Sequence, residues 1–214
     1  MRIDRAATPF VVIAALPSAV LWWWGWPVAA VASLLLPLAI ALFFRDPDRD
    51  PSQDPTLVLA PADGRVMYAG PADPTDLPTA PDGQPRDWQQ VTIFLSVLDV
   101  HINRTPVSGR VTQVLYQPGT FLPAYKRESQ KNERSEIWFD HDGTPVVARQ
   151  VVGILARRVV CRLAPGAQVR AGDHLGLMKF GSRMDVFVPT TASLVVAPGE
   201  SVRAAETVLA RLLV

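Results

Sequence analysis

Apolar and polar positions follow two regimes along the chain. Residues 6–44 carry no charged side chain, whereas beyond Leu57 apolar and polar positions exchange over short runs. The first stretch exceeds the roughly 20 residues that one helical bilayer crossing needs. It is interrupted near its middle by Trp22-Trp23-Trp24-Gly25-Trp26-Pro27, where indoles favour the membrane interface and Gly and Pro break helices. Two geometries fit: a tight helical hairpin with arms of about 16 to 18 residues, or a single long or kinked span. Arg2 and Arg5 before the stretch and Arg45 and Arg49 after it favour the hairpin with both ends cytoplasmic, since flanking cations stay on that side. The stretch is too long for a signal peptide and shows no small-residue cleavage site. A buried soluble hairpin is the bland alternative.

Residues 45–56, Arg-Asp-Pro-Asp-Arg-Asp-Pro-Ser-Gln-Asp-Pro-Thr, form a polar, proline-rich linker. It separates a membrane-associated helical segment, 1–44, from a β domain, 57–214. Strands are predicted at 91–97, Gly109–Leu115, Pro145–Leu155 and Arg158–Leu163, and Pro71–Arg86 reads as an exposed loop. Two internal echoes stand out. Leu163-Ala-Pro-Gly-Ala-Gln-Val-Arg-Ala-Gly-Asp-His-Leu175 returns as Val196-Ala-Pro-Gly-Glu-Ser-Val-Arg-Ala-Ala-Glu-Thr-Val208, and Pro61-Ala-Asp-Gly-Arg-Val66 returns as Pro106-Val-Ser-Gly-Arg-Val111. Two copies are too few for a solenoid. They predict a mainly β fold, a pseudo-symmetric β-sandwich or flattened barrel.

Composition narrows the chemistry. The 214 residues are 49% hydrophobic and 19% charged, ample for a core, and the net charge of +1 without a polybasic run argues against nucleic acid. Twenty prolines and thirteen glycines suit many short strands. The single Cys161 excludes an intrachain disulfide and a cysteine metal cluster; its apolar neighbours suggest a buried core residue. His101, His141 and His174 lack any H-x-x-x-H pairing, so no metal is expected. His141, in the turn Asp140-His-Asp-Gly143, is expected at the surface.

The chemically informative stretch is Gly176-Leu-Met-Lys-Phe-Gly-Ser-Arg-Met-Asp-Val-Phe-Val-Pro189. A Gly-Ser peptide between strands can bring the Ser182 hydroxyl against the Gly181 carbonyl, since glycine removes the blocking side chain and tolerates strained dihedrals. Attack would exchange amide for ester, and elimination followed by hydrolysis would leave a pyruvoyl group and ammonia. That ketone forms a Schiff base with a substrate amine and accepts electrons as carbon dioxide leaves. By itself Gly-Ser is more often an ordinary turn.

Phe94-Leu-Ser-Val-Leu-Asp-Val-His-Ile-Asn-Arg-Thr-Pro-Val-Ser-Gly109 resembles the histidine motif of phosphatidylserine decarboxylases. Pro61-Ala-Asp-Gly64, Asn132-Glu-Arg134 and Lys179-Phe-Gly-Ser182 resemble three further motifs of that family, in its order. The resemblance spans roughly residues 43–190 and is nearest the short, archaeal-like proenzyme type. It implies self-cleavage into a β chain, 1–181, and an α chain, 182–214, with Ser182 becoming the pyruvoyl cofactor. It also implies an acidic processing residue at Asp63 and a proton carrier at His101, whose imidazole suits that task. One division of labour has Asp63 orienting His101 and His101 deprotonating Ser182. Long-type members carry a second histidine where this chain has Arg104, and Thr where it has Arg183. Both arginines are therefore candidates for holding the substrate's phosphate or carboxylate.

The bland readings stand beside these: Asp63 as a turn residue, His101 as a structural histidine, Asn132-Glu-Arg134 as a salt-bridged loop, and Lys126, Arg127 and Lys131 as a solvated face. Two rival functions remain. Met178-Lys179 between repeated turn units resembles a biotinyl or lipoyl carrier modified at Lys179, and a non-enzymatic membrane-anchored β domain would keep an intact chain. The expectation is a decarboxylase acting on phosphatidylserine at the cytoplasmic face of the cell membrane, without metal, with a homo-oligomer left open.

Overall fold

A computed structural model describes residues 1–80, 83–84, 86–125, 127–154, 159–178 and 182–213. Its contacts divide the chain into two units, Met1–Asp48 and Arg49–Val214. The division falls inside the proline-rich segment 45–56.

The first unit is a helical hairpin. A 3₁₀ turn, Arg5–Ala7, leads into α1 (Thr8–Trp23); α2 (Pro27–Ser33) and α3 (Leu35–Phe43) form the return arm. Pro27 opens α2, where its missing N–H costs nothing. Gly25 turns the chain with φ +76°, a conformation open to residues without Cβ. The ends meet where β1 (Arg2–Ile3) pairs with β2 (Arg45–Asp46), and the Ser18 and Ser33 hydroxyls, 2.6 Å apart, join the arms. Arg5–Trp23 is long and apolar enough to cross a membrane, by length and composition.

The second unit is built on an eight-stranded antiparallel sheet in the order β11-β7-β8-β9-β13-β5-β4-β15. Its strands are β4 (Gly64–Pro71), β5 (Trp88–Leu95), β7 (Gly109–Gln117), β8 (Arg134–His141), β9 (Thr144–Val151), β11 (Gln168–Val169), β13 (Ser182–Pro189) and β15 (Ser201–Val202). Two three-stranded sheets complete it. One holds β10 (Val159–Cys161), β12 (His174–Met178) and β6 (Ile102–Arg104); the other holds β14 (Ser193–Leu194), β16 (Val208–Arg211) and β3 (Leu57–Leu59).

The echoes seen in the sequence are the two halves of this order. Val66 N–H donates to the Glu200 carbonyl and Gly199 N–H to that of Val66, while Val111 N–H donates to Ala167 and Gly166 N–H to Val111. The symmetry therefore lies between β9 and β13, the two central strands. Gly64 and Gly109 are equivalent turn exits with φ +152° and +138°, and a Cβ at either would run into a neighbouring carbonyl oxygen, that of Phe94 or Asp140.

Period-two alternation gives the sheet two unlike faces. One carries Val91, Ile93, Ala148, Met184 and Val186 into a single apolar core, each larger side chain contributing about 1.5–3 kcal/mol. The other buries charge: Glu136, Arg149, Arg183 and Asp185. The predicted strands appear with shifted ends, and β5 stops at Leu95, ahead of a turn; Leu155 and Arg158 lie outside the described residues. Pro71–Arg86 departs from expectation. Its start continues β4, and within it Asp76 and Pro78 are buried, with Thr79 N–H donating to Glu136 at 3.0 Å. Asp76 and Thr79 from this segment contact Arg149 and Glu136 on the charged face of the sheet. His141 is also buried rather than exposed, its ring nitrogens each 2.7 Å from a carbonyl, of Ser108 and Pro55. Cys161 is half-buried beside the core, and burial pushes its thiol pKa up.

Candidate active site

Ser182 is the first residue of β13, opposite Leu95 of β5, with Arg183 opposite Val151 of β9. Its side chain falls on the face of Met184 and Val186, toward the core. The hydroxyl is fully buried and has no hydrogen-bond partner among the described residues. A buried hydroxyl left unpaired costs about 1–3 kcal/mol, so native folds rarely keep one without a use. The residues just before it, Lys179, Phe180 and Gly181, lie outside the described residues.

His101 precedes β6 and is buried. Its backbone carbonyl accepts from Met178 N–H at 3.2 Å, and β6 pairs with β12 through Ile102–Leu177 and Asn103–Gly176. The backbone of His101 is thus fixed beside Met178, at the end of β12. The imidazole Nδ1 lies 2.9 Å from the Asp99 carbonyl oxygen. A carbonyl only accepts, so Nδ1 carries the hydrogen and Nε2 of the neutral ring keeps a lone pair.

Asp63 occupies the Pro61–Gly64 turn, but its carboxylate is turned to Arg49, whose Nη2 reaches both oxygens at 2.9 and 2.7 Å. The Ala204 N–H donates to the same carboxylate at 2.8 Å. Among the described residues the Asp63 carboxylate meets Arg49 and Ala204, and the Nδ1 of His101 meets the Asp99 carbonyl. The pseudo-symmetry explains Asp63 in part. Ser108, its counterpart in the second echo, accepts from Ala171 N–H through its hydroxyl at 2.9 Å, so both residues cap the equivalent backbone N–H. Arg104 Nη1 donates to the Gly172 carbonyl at 3.1 Å, which ties the turn region to the His101 strand from the other side.

Arg183 projects to the opposite face of β13 from Ser182. It donates to Asp185 through Nε and Nη2, at 3.1 and 2.9 Å, and to the Ser129 hydroxyl through Nη1 at 2.9 Å. Its guanidinium is built into an ion network. Asp76 joins that network with Arg134 and Arg149, both at 2.9 Å. Burial pushes the Asp76 carboxyl above its usual range, against the pull of Arg149. Beside Asp76 and Arg183 opens a cavity of about 590 Å³ that Tyr68, Thr92 and Tyr125 also line.

Asn132-Glu-Arg134 is more than a salt-bridged loop. The Asn132 amide accepts from Leu122 N–H at 2.8 Å and donates to the Leu122 and Val152 carbonyls at 2.7 and 2.8 Å, clamping two loops together beside the Ser182 end of β13. Two features escaped the sequence reading. Arg49, read as a cation flanking the apolar stretch, is the partner of Asp63. Asn103 and Gln150, joined at 2.8 Å, form a buried amide pair, with Gln150 opposite Met184 on the same face as Ser182. A Gln in the middle of an apolar strand run was the available signal.

The family model described as Phosphatidylserine decarboxylase matches residues 36–210. The chain belongs to this family. Among relatives named phosphatidylserine decarboxylase proenzyme, that of Prosthecochloris aestuarii is 42% identical over 84% of this chain and 80% of its own length. That of Paramagnetospirillum magneticum is 42% identical over 98% and 87%, and that of Solibacter usitatus 36% identical over 99% and 97%. The match over residues 36–210 includes the positions of Asp63, His101 and Ser182.

Proposed function

We propose that this chain cuts itself between Gly181 and Ser182, converts Ser182 to a pyruvoyl group, and decarboxylates phosphatidylserine to phosphatidylethanolamine and carbon dioxide. The observation that carries the reading is the buried Ser182 hydroxyl at the head of a central strand, without a hydrogen-bond partner among the described residues, within a chain of this family. A hydroxyl held dry and free of competing hydrogen bonds is suited to attack an adjoining carbonyl.

His101, with Nδ1 fixed on the Asp99 carbonyl, offers Nε2 as the base that removes the Ser182 proton. The oxygen attacks the Gly181 carbonyl carbon, the C–N bond breaks, and an ester joins Gly181 to the Ser182 side chain. Loss of the Cα proton expels the Gly181 carboxylate; the remaining enamine takes up one water and releases one ammonia. The pyruvoyl group so formed supplies an electron-accepting ketone for the substrate amine. Asp63 holds Arg49 and the Ala204 N–H and acts as a positioning residue for the turn joined to β6 through Arg104 N–H and the Pro61 carbonyl. Residues 6–44 attach the chain to the cytoplasmic face of the cell membrane, where the lipid substrate lies.

Phenylhydrazine tests this reading. It is expected to stop carbon dioxide release and to leave its adduct on a chain that starts at position 182. Active protein without such an adduct contradicts it. Arg104 keeps a contact role toward the substrate's anionic groups. Arg104→Ala is expected to spare cleavage and raise KM for phosphatidylserine by roughly tenfold, the weight of one charge-assisted contact. Failure of cleavage in that variant would move Arg104 to maturation.

A further inference from the structure

Three loops of the second unit meet at the Ser182 end of β13. The turn after β5 is held by Ser96 N–H donating to the Asp99 carboxylate at 2.7 Å and Asp99 N–H to the Ser96 carbonyl at 3.0 Å. The segment before the Asn132 clamp is tied to β5 by Tyr125 packing edge-on against Phe94, 6.2 Å between centroids. The segment after β9 is tied to it in turn by Asn132. Leu95, next to the first loop, is opposite Ser182 itself. Inside, these loops are joined by polar and aromatic contacts; at their tips they display Val97, Leu98, Phe121, Tyr125 and Ile154 to solvent, with Leu98 83% exposed.

Single exposed apolar side chains are ordinary, but convergence of several at one end of a molecule marks a docking surface. We propose that these tips enter the phospholipid bilayer that contains the substrate, placing the Ser182 end of β13 against the head groups. This rests on the reading of Ser182 as the reacting residue. The occupant follows from the chemistry: a diacyl lipid presents its amine at the membrane surface while its acyl chains stay in the hydrocarbon. A site buried at Ser182 reaches that amine only if the surrounding surface is itself compatible with the interface, as apolar tips are. The loop tips are a contact separate from residues 6–44, and they orient the site rather than merely retaining the chain.

The test compares two forms of one substrate on the full-length processed protein. Leu98→Glu combined with Phe121→Glu leaves residues 6–44 and the site untouched. Turnover of long-chain phosphatidylserine in phosphatidylcholine vesicles is expected to fall about tenfold or more, given the apolar contact removed and the charge introduced. Turnover of a short-chain phosphatidylserine dispersed as monomers, and the extent of self-cleavage, are expected to stay unchanged. Equal rates on vesicles, or an equal loss on both forms, would overturn the proposal. Failure of the Ser182 reading shows separately, as wild-type activity without cleavage.

Discussion

Ser182→Ala is expected to remain a single uncut chain with no decarboxylase activity. Loss should be complete, because removal of the hydroxyl abolishes both the cut and the only source of the ketone. Stability separates this from damage to the fold. The wild-type hydroxyl is buried without a partner among the described residues, so its removal relieves a penalty of about 1–3 kcal/mol instead of breaking a bond. Thermal denaturation should therefore give a Tm equal to or above that of the unprocessed wild type. Normal turnover by this variant would sink the mechanism, and a large fall in Tm would mean that the hydroxyl has a structural partner.

The second large effect concerns the charged face of the sheet. Arg149 is fully buried, donates to Glu136 at 3.0 Å and to the Asp76 carbonyl at 3.0 Å, and lies 4.6 Å above the Phe187 ring. Arg149→Ala would leave the Glu136 and Asp76 carboxylates buried and short of a cation. Breaking a buried pair from one side costs about 3–5 kcal/mol, which for a domain of this size lowers Tm by roughly 6–20 °C. Arg149→Lys should recover only part, because an ammonium cannot reproduce the forked geometry. A Tm within about a degree of wild type, against a cost of that size, would mean that the network is not closed in the folded protein.

The sequence made the broad plan legible because the plan is written in local patterns. An uncharged run broken by Trp24-Gly25-Trp26-Pro27 became the hairpin, and the two echoes became the two halves of the central sheet, since each echo is a turn plus the strand it feeds. His101 and Ser182 stood out because their neighbours match family motifs. Contacts between distant segments were not legible. Asp63 is bound by Arg49 and Ala204, one from a segment read as linker and the other from the far echo, and no spacing rule connects them. Arg183 looked like an anion contact because Arg suits that role; only the register of β13 shows that it faces away from Ser182, toward Asp185. The strand pattern at Pro145–Leu155 gave β9 but not the burial of Arg149, because alternation does not reveal which loop will cover a face. Here the cover is Asp76, in a stretch whose Pro and Asp content signalled exposure.

The most direct measurement is a denaturing intact-mass spectrum of the purified wild-type protein. Self-processing predicts two chains, one comprising residues 1–181 and the other starting at 182, the smaller lighter by one ammonia than the peptide with an N-terminal serine. A single full-length mass in active protein, or a smaller chain that retains its serine nitrogen, would contradict the account.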